Sequence, residues 1–475
     1  MRETRFPALG LLLGVLLGQP AAAAEKNAAE RNAAAEPFSL RGYYFILSRN
    51  PSYGLADYER IFDRMAEDRC NVLILWIAGG FPSRKYPETW DYNRDHRNCR
   101  ENFARGAIDA AHRRGIRVAL GFTPFAYDGV NRWGAAHPEL GAVDGKGKPA
   151  VTGGIHSFGR GLCPSKPAAR EFMLGYCLEL FDDFCPNADG FFIEHSDYGI
   201  CRCADCAKDH GVLRREWELV EALSRRVWER KPDGLVLVYP QYAEAGVAYD
   251  PRLVVFVAPH NMRGVERIKN PKVLWRGYWE VGGFWKDFVR KAAREKCTGV
   301  IPSMENFTYE NPHAFDTRWG PQGVAGWDDL LVRLTRLSFR EYTTRPDLDD
   351  VSFRASVNQE FFGGTAAPDR VDELLTLHRL LNVWEGWSWR AGAVKVPEGT
   401  VEPEKLEGPA RDAWERNALA PLRALKAIQA RAEEALRSPG GPAEGSPARR
   451  TLAEMAAIAR WVVERWRGKL PPAIL

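Results

Sequence analysis

The sequence lacks the signatures of several large protein classes. Neither the dinucleotide-binding pattern G-x-G-x-x-G nor the phosphate-loop pattern G-x-x-x-x-G-K-S occurs in its 475 residues, which disfavours the nucleotide-binding folds that use them. The formal net charge is +4 and no basic stripe alternates with aromatic residues, so a nucleic-acid partner is not expected. The composition, with 45% hydrophobic and 27% charged residues, is that of a globular protein with a large core.

The sequence also lacks a run long enough to cross a membrane. Its apolar run at 8–17 is too short for a bilayer, and no later segment is a better candidate. Two arginines precede this run and small residues follow it, which is typical of an export signal with an A-x-A cleavage site. No cysteine follows the run, so a lipid anchor is not indicated. We therefore expect a signal peptide at 1–24, a polar lead-in at 25–37, and a secreted or periplasmic mature protein.

Apolar runs alternate with helix-period segments over 38–346. The first pair is the strand pattern RGYYFILSR at 41–49 and the helix pattern LADYERIFDRMAEDRC at 55–70. Eight such runs predict an α/β fold, a (β/α)8 TIM barrel, rather than an open doubly wound sheet. After Pro346 the segments are all helix-period, and the loops between them are rich in Pro, Gly and Glu. We therefore predict a C-terminal α-helical domain over 347–475.

Carboxylates dominate the predicted carboxyl ends of the strands, where barrel enzymes hold their reacting groups. Hydrolysis of a glycosidic bond needs two carboxyl groups, one to protonate the leaving oxygen and one ionised. A single acid at a strand end is more often a solvated loop residue or a helix cap. Glu194 stands out because it directly ends the apolar run in ADGFFIEHSD. We predict Glu194 as general acid, supported by Asp197, with Glu280 or Glu305 as the opposing carboxylate.

Aromatic and polar side chains near the same strand ends are candidate contacts for a sugar. Aromatic rings can stack on sugar faces, and histidine and asparagine can bond hydroxyl groups, although each residue type is also common in cores and loops. The candidates are His195, Tyr242, His260, Asn261, Trp275, Tyr278 and Trp279. The sequence therefore predicts a carbohydrate partner, and it leaves the oligomeric state open.

A cysteine cluster follows the fourth apolar run in the segment C-R-C-A-D-C. Together with one cysteine from the preceding loop, the cluster comprises Cys163, Cys201, Cys203 and Cys206. Four such sulfurs can hold a tetrahedral zinc, whereas disulfide pairing is the alternative in an exported protein. In either case we expect a structural role that holds the loop carrying Glu194, and no cofactor for catalysis. A catalytic zinc would instead need an open site, for which His195 and His210 are candidate ligands.

Two segments in the second half of the chain resemble the α-glucuronidase family of glycoside hydrolases. They are W-x-x-L-x-x-R-L-T-R-L-S-F-R-E-Y-T-T-R-P-D-L at 327–348 and F-R-A-S-V-N-Q-E-F-F-G at 353–363. The resemblance implies an inverting exo-hydrolase with a general acid on the fourth strand and a carboxylate on the seventh, at Glu280. On the fourth strand Tyr198 stands where the family has its acid, so Asp197 or Glu194 would take that role.

The acids of the fourth strand also resemble those of the β-N-acetylhexosaminidases. That resemblance implies that Asp197 orients the acetamido group of the substrate, which attacks the sugar carbon, while Glu194 protonates the leaving group. The Asp-Glu dipeptide of that family is absent here. A third hypothesis is a non-catalytic barrel that binds glycans after losing its catalytic pair.

Overall fold

The structure is a computed structural model. It describes residues 37–47, 52–77, 79–90, 94–100, 103–127, 129–150, 160–195, 201–258, 265–276, 286–302, 328–382 and 405–465. The signal peptide predicted for 1–24 lies outside the described residues.

Eight parallel strands form a closed barrel, in which each strand pairs with its sequence neighbours and the last pairs with the first. The strands are β1 Leu40–Ile46, β2 Val72–Trp76, β3 Arg117–Phe122, β4 Gly190–Ile193, β5 Leu235–Val238, β6 Val254–Val257, β7 Lys272–Arg276 and β8 Gly299–Pro302. Each predicted apolar run overlaps one of them, so the predicted (β/α)8 barrel is confirmed. β1 begins one residue before its predicted run, at Leu40.

Alternate residues of a strand face the barrel interior, and β4 shows which do. The ring of Phe191 lies 5.1 Å from that of Phe181, which belongs to the helical layer outside the barrel. The ring of Phe192 lies 4.6 Å from that of Phe256 on β6, across the interior. On β3 a Cβ atom at Gly121 would lie 3.3 Å from the backbone of Trp76 on β2 and 3.4 Å from the Phe192 ring, so this position also faces the packed interior.

Helices cover the outside of the barrel because each presents one apolar stripe to the strands. On α1, Tyr58, Ile61, Phe62 and Met65 recur at helical spacing and are buried. The helices that accompany the strands are α1 Leu55–Glu67, α2 Arg97–Arg100, α3 Ala104–His112, α4 Val130–Ala136, α5 Pro167–Leu178, α6 Ala204–Ala207, α7 Gly211–Arg230, α8 Lys286–Arg294 and α9 Leu330–Thr344. A π-helical turn continues α5 to Phe184.

The chain is helical beyond α9, as the periodicity predicts. These helices are α10 Asp350–Phe362, α11 Pro368–Asn382, α12 Gly408–Trp414, α13 Ala420–Arg437 and α14 Pro447–Arg465. They attach to the barrel through α9: Thr335 Oγ1 lies 2.8 Å from Nε2 of the buried His378, and Arg333 pairs with Glu454 at 3.2 Å. The boundary predicted at 346 falls in the turn between α9 and α10. Among the described residues, no helix is both long and apolar enough to span a membrane.

A buried ion pair ties α9 to the first strand and helix of the barrel. The Arg336 guanidinium donates from Nε to Asp68 Oδ2 at 2.7 Å, and the Tyr43 hydroxyl donates to the same oxygen at 2.8 Å. The side chains of Arg336 and Asp68 are 6% and 1% exposed. Burial raises the pKa of Asp68, and the attraction of Arg336 opposes that rise.

Candidate active site

Glu194 lies at the carboxyl end of the barrel, immediately after β4. It follows the inward-facing Phe192 by two residues, so strand alternation directs its side chain to the interior as well. The Tyr239 hydroxyl, just after β5, donates a hydrogen bond to Glu194 Oε1 at 3.1 Å. His195 is half-buried, and its ring centroid lies 5.5 Å from that of Tyr239. Glu194 and His195, the two residues that follow β4, therefore both contact Tyr239 at the mouth of the barrel.

Six aromatic rings from six different strands or strand ends fill the interior beneath Glu194. We call them the aromatic floor: Tyr44, Trp76, Phe192, Tyr239, Phe256 and Trp275. Tyr44 lies at its centre, with its ring 6.1 Å from Trp76, 5.9 Å from Phe192 and 6.3 Å from Trp275. Most of these pairs are tilted or edge-on, which is the favoured geometry for aromatic rings. All six side chains are buried, so the floor is a largely apolar base below the carboxylate.

Two polar atoms near the floor make no hydrogen bond within the described part of the chain. They are the indole Nε1 of Trp76, which ends β2, and Oγ1 of Thr123, which directly follows β3. Both residues are buried, and buried polar groups normally have a partner. An indole N–H can only donate, whereas a hydroxyl can donate or accept. The layer beneath the mouth therefore contains two buried polar atoms that have no partner among the described residues.

The loop after β3 holds two aromatic residues in the left-handed backbone region. Phe125 has φ 59° and Tyr127 has φ 72°, although neither is a glycine. Bulky residues rarely adopt such angles, and strained positions cluster at functional sites. The Tyr127 ring lies 5.7 Å from that of Trp76, so this loop brings a further aromatic side chain to the rim of the floor.

The structure places three of the predicted site residues, Glu194, His195 and Trp275, at or just below the mouth. Trp275 is 6% exposed and belongs to the floor, so it supports the site from below. The remaining catalytic and sugar-contacting candidates other than Tyr242 lie outside the described residues. They are Asp197, Glu280, Glu305, His260, Asn261, Tyr278 and Trp279. Their roles stay predictions.

Tyr242 is a correction to the predicted set. Its side chain has no exposed surface and packs 5.4 Å from the Trp217 ring on α7, outside the barrel. Burial and the nearby Glu216 raise the pKa of its hydroxyl well above the usual range. The chain turns into a 3-10 helix over Pro240–Ala245, and within it the Tyr242 ring packs against Trp217 on α7. Tyr239, three residues earlier, is the tyrosine that reaches the site.

Sequence reasoning missed Tyr44, Trp76, Thr123 and Tyr239. A signal was present, because each of the three aromatic residues lies within a predicted apolar run. Such residues are also ordinary barrel core, and their meeting in one layer depends on the register of strands that are far apart in sequence.

The four predicted cluster cysteines come together beside the same mouth. Cys163 Sγ lies 3.7 Å from Cys203 Sγ and 3.8 Å from Cys206 Sγ, and all four sulfurs lie within 4.8 Å of one another. Three of the four are buried, and Cys203 is half-buried. Contacts with the thiols of Cys201 and Cys206 hold the pKa of Cys163 far below its usual range. All nine cysteines of the chain are free thiols in this structure.

Solved structures with a similar fold include glycoside hydrolases. A GH138 enzyme targeting pectin rhamnogalacturonan II matches with a TM-score of 0.56 and 12% identity over 90% of this chain. The chain shares its fold with this glycoside hydrolase. It spans 58% of that enzyme's length. The predicted resemblance to barrel glycoside hydrolases is therefore confirmed at the level of the fold.

Two other structures are more distant. A mutant O-GlcNAc hydrolase from Thermobaculum terrenum has a TM-score of 0.48 and 12% identity over 91% of this chain and 83% of its own. A chitobiase from Flavobacterium johnsoniae has a TM-score of 0.45 and 13% identity over 90% of this chain and 71% of its own. No protein-family model matches the sequence, and no curated protein is significantly similar to it.

Proposed function

We propose that this protein is an exported glycoside hydrolase that removes a terminal or side-branch sugar from a polysaccharide or glycan. The observation that carries the proposal is the placement of Glu194 over the aromatic floor, with its carboxyl group held by the Tyr239 hydroxyl. A carboxyl group at a strand end above an apolar base suits a substrate with one apolar ring face and many hydroxyls. The GH138 enzyme with this fold adds support.

Glu194 acts as general acid in this proposal. It transfers its proton to the glycosidic oxygen as the bond from that oxygen to the anomeric carbon breaks. The positive charge that develops on the sugar ring is stabilised by an opposing carboxylate, for which Glu280 and Glu305 are the candidates, while Asp197 supports Glu194. Water adds its hydroxyl group to the anomeric carbon, and its remaining proton passes to a carboxylate of the site, so the reaction needs no cofactor.

The test is a screen of the purified mature protein against aryl glycosides, beside glycan binding measured by affinity electrophoresis. The aryl glycosides include glucuronides and N-acetylhexosaminides because of the two sequence resemblances. The polysaccharide rhamnogalacturonan II is added to the panel because the GH138 enzyme targets it. Release of a single sugar names the substrate class and supports the proposal. Binding of a glycan without turnover on any member would instead favour the non-catalytic glycan-binding barrel.

Replacing Tyr239 by phenylalanine should lower kcat/KM by about tenfold or more. The change removes only the hydroxyl that bonds Glu194. This hydroxyl stabilises the carboxylate that forms as Glu194 gives up its proton, and a hydrogen bond to a charged group is worth about 1.5–3 kcal/mol. Steady-state kinetics on the substrate found in the screen measure the effect. Tyr242→Phe is the matched control, since its hydroxyl is buried against α7, and we expect its activity to stay within about twofold of the parent. A larger loss of activity in Tyr242→Phe than in Tyr239→Phe would show that Tyr242, and not Tyr239, contributes to the site.

The export signal predicts a defined mature N-terminus. When the full chain is expressed in a bacterium with two membranes, residues 1–24 should be removed and the protein recovered from the periplasm or the medium. N-terminal sequencing should then begin at Glu25. Leucine in place of all four alanines at 21–24 should block processing, because the cleavage site requires small residues and Ala21-x-Ala23 would otherwise offer a second A-x-A site. An unprocessed parent protein in the cytosol would contradict the proposal.

A further inference from the structure

The geometry of the four-cysteine cluster points to a structural zinc site, which we propose as a feature independent of the glycosidase function. A tetrahedral zinc with Zn–S bonds of about 2.3 Å separates its sulfur ligands by about 3.8 Å. The two distances from Cys163 Sγ, 3.7 Å to Cys203 and 3.8 Å to Cys206, match that edge. A disulfide would instead require about 2.0 Å between two sulfurs.

The ligand set is complete and consists of one chemical type. Among the described residues, it is the one group of three or more Cys, His, Asp or Glu side chains whose ligand atoms lie close enough to share an ion. Four thiolates with no open position form a closed site, which is typical of structural zinc, whereas catalytic zinc keeps a position for water. The histidine-based catalytic alternative is therefore not favoured.

The surroundings of the cluster form a small core of their own. Ala142 and Ala150 are buried with the thiols, and Val143 and Val212 pack against them. This core is separate from the main core of the barrel. Because this small core contains few apolar residues, hydrophobic burial contributes little to its stability. A metal bound by all four sulfurs would add stability that packing does not provide.

Backbone contacts present the sulfurs from two different loops. The Cys163 amide donates to Leu140 O at 2.8 Å, and the Arg202 amide donates to Val143 O at 2.7 Å. The Ser165 hydroxyl lies 3.0 Å from Cys163 Sγ and 3.5 Å from Cys203 Sγ, where it can donate to a thiolate. Hydrogen bonds of this kind orient and stabilise metal-bound sulfur.

The site would join the loop after β3 to the loop after β4. Cys163 belongs to the first loop, and Cys201 follows Glu194 by seven residues in the second. A zinc ion bound by both loops fixes the segment that leaves β4 at the mouth of the barrel. The ion thus positions the site from outside it, and no step of the chemistry passes through the metal.

The first test is metal analysis of the full-length protein, purified without added metal or chelator. We expect about one zinc per chain, released when a mercurial reagent blocks the thiols, and nine titratable thiols after denaturation without reductant. Absence of zinc together with the loss of two or four thiols would show disulfides and overturn the proposal. Iron at the same stoichiometry would overturn the choice of metal.

Variants test the ligand assignment. Cys163→Ser and Cys203→Ser should lose the zinc and lower the Tm, whereas Cys297→Ser, which changes a buried cysteine outside the cluster, should retain the zinc. Cys203→His should also keep the ion, because histidine is an accepted zinc ligand, which keeps the test valid if the serine variants fail to fold. Retention of full zinc content in both serine variants would refute the site.

Discussion

Glu194→Gln should lower kcat/KM by about 10²–10⁴-fold, the range that a positioned general acid contributes. Glutamine has the shape of glutamate and its carbonyl oxygen can still accept the hydrogen bond from Tyr239, but it has no proton to give to the leaving group. The loss should therefore appear in kcat, with little change in KM where KM reflects binding. Initial rates on the substrate identified in the screen, across a tenfold range of concentration, measure both constants.

Two controls separate catalysis from folding in this experiment. Glu444→Gln neutralises a glutamate that is 90% exposed in the helical region, and its activity should equal that of the parent. The Tm and the glycan affinity of Glu194→Gln should match those of the parent, because the floor beneath the site is unchanged. If Glu194→Gln keeps full turnover, the general acid lies elsewhere, and Asp197 becomes the next residue to change.

The barrel was predictable from the sequence because its strands are buried on both faces. Such strands appear in the sequence as continuous apolar runs, and the helices between them show the helical period of 3.6 residues. The alternation of strands and helices can therefore be recognised without knowledge of the contacts between them. The run GFFI in β4 and the acid that ends it illustrate this: one local pattern predicts the strand, its direction and the position of Glu194. The thiol cluster was equally accessible, since three of its cysteines lie within six residues.

The aromatic floor was not predictable in the same way. It forms because the ring of Tyr44 on β1 meets the rings of Trp76 on β2, Phe192 on β4 and Trp275 on β7, which lie 32, 148 and 231 positions further along the chain. The error at Tyr242 has a related cause. Sequence alone does not show that β5 ends at Val238 and that a 3-10 helix then turns the next tyrosine outward. Both results depend on register and on the exact end of a strand, which local patterns do not determine.

The second large expected effect is on stability: Arg336→Met should lower the free energy of unfolding by about 3–5 kcal/mol. Methionine preserves the apolar stem of the side chain but leaves Asp68, which is 1% exposed, without its cationic partner. Guanidinium chloride unfolding measures the change. Arg354→Met is the control, because its pair with Asp372 is about half exposed on both sides and such pairs are worth at most about 1 kcal/mol. An equal loss of unfolding free energy in both variants would show that the buried pair contributes no more to stability than the exposed pair.

The deficit of Arg336→Met should also depend on pH in a defined direction. Burial raises the pKa of Asp68 in the folded protein, and Arg336 is the first of the groups that lower it, so removing Arg336 raises the folded-state pKa further. A carboxyl group with a raised folded pKa favours the folded state most when protonated, below its unfolded pKa of about 4, and loses that contribution as pH rises through the folded value. The loss of stability in Arg336→Met should therefore shrink as pH falls from about 7 towards 5.

Adding Asp68→Asn to Arg336→Met should recover much of the lost stability at neutral pH and abolish this pH dependence, because the amide oxygen still accepts from Tyr43 and carries no charge. A deficit that is constant with pH would mean that lost packing, and not the stranded carboxylate, is the cause.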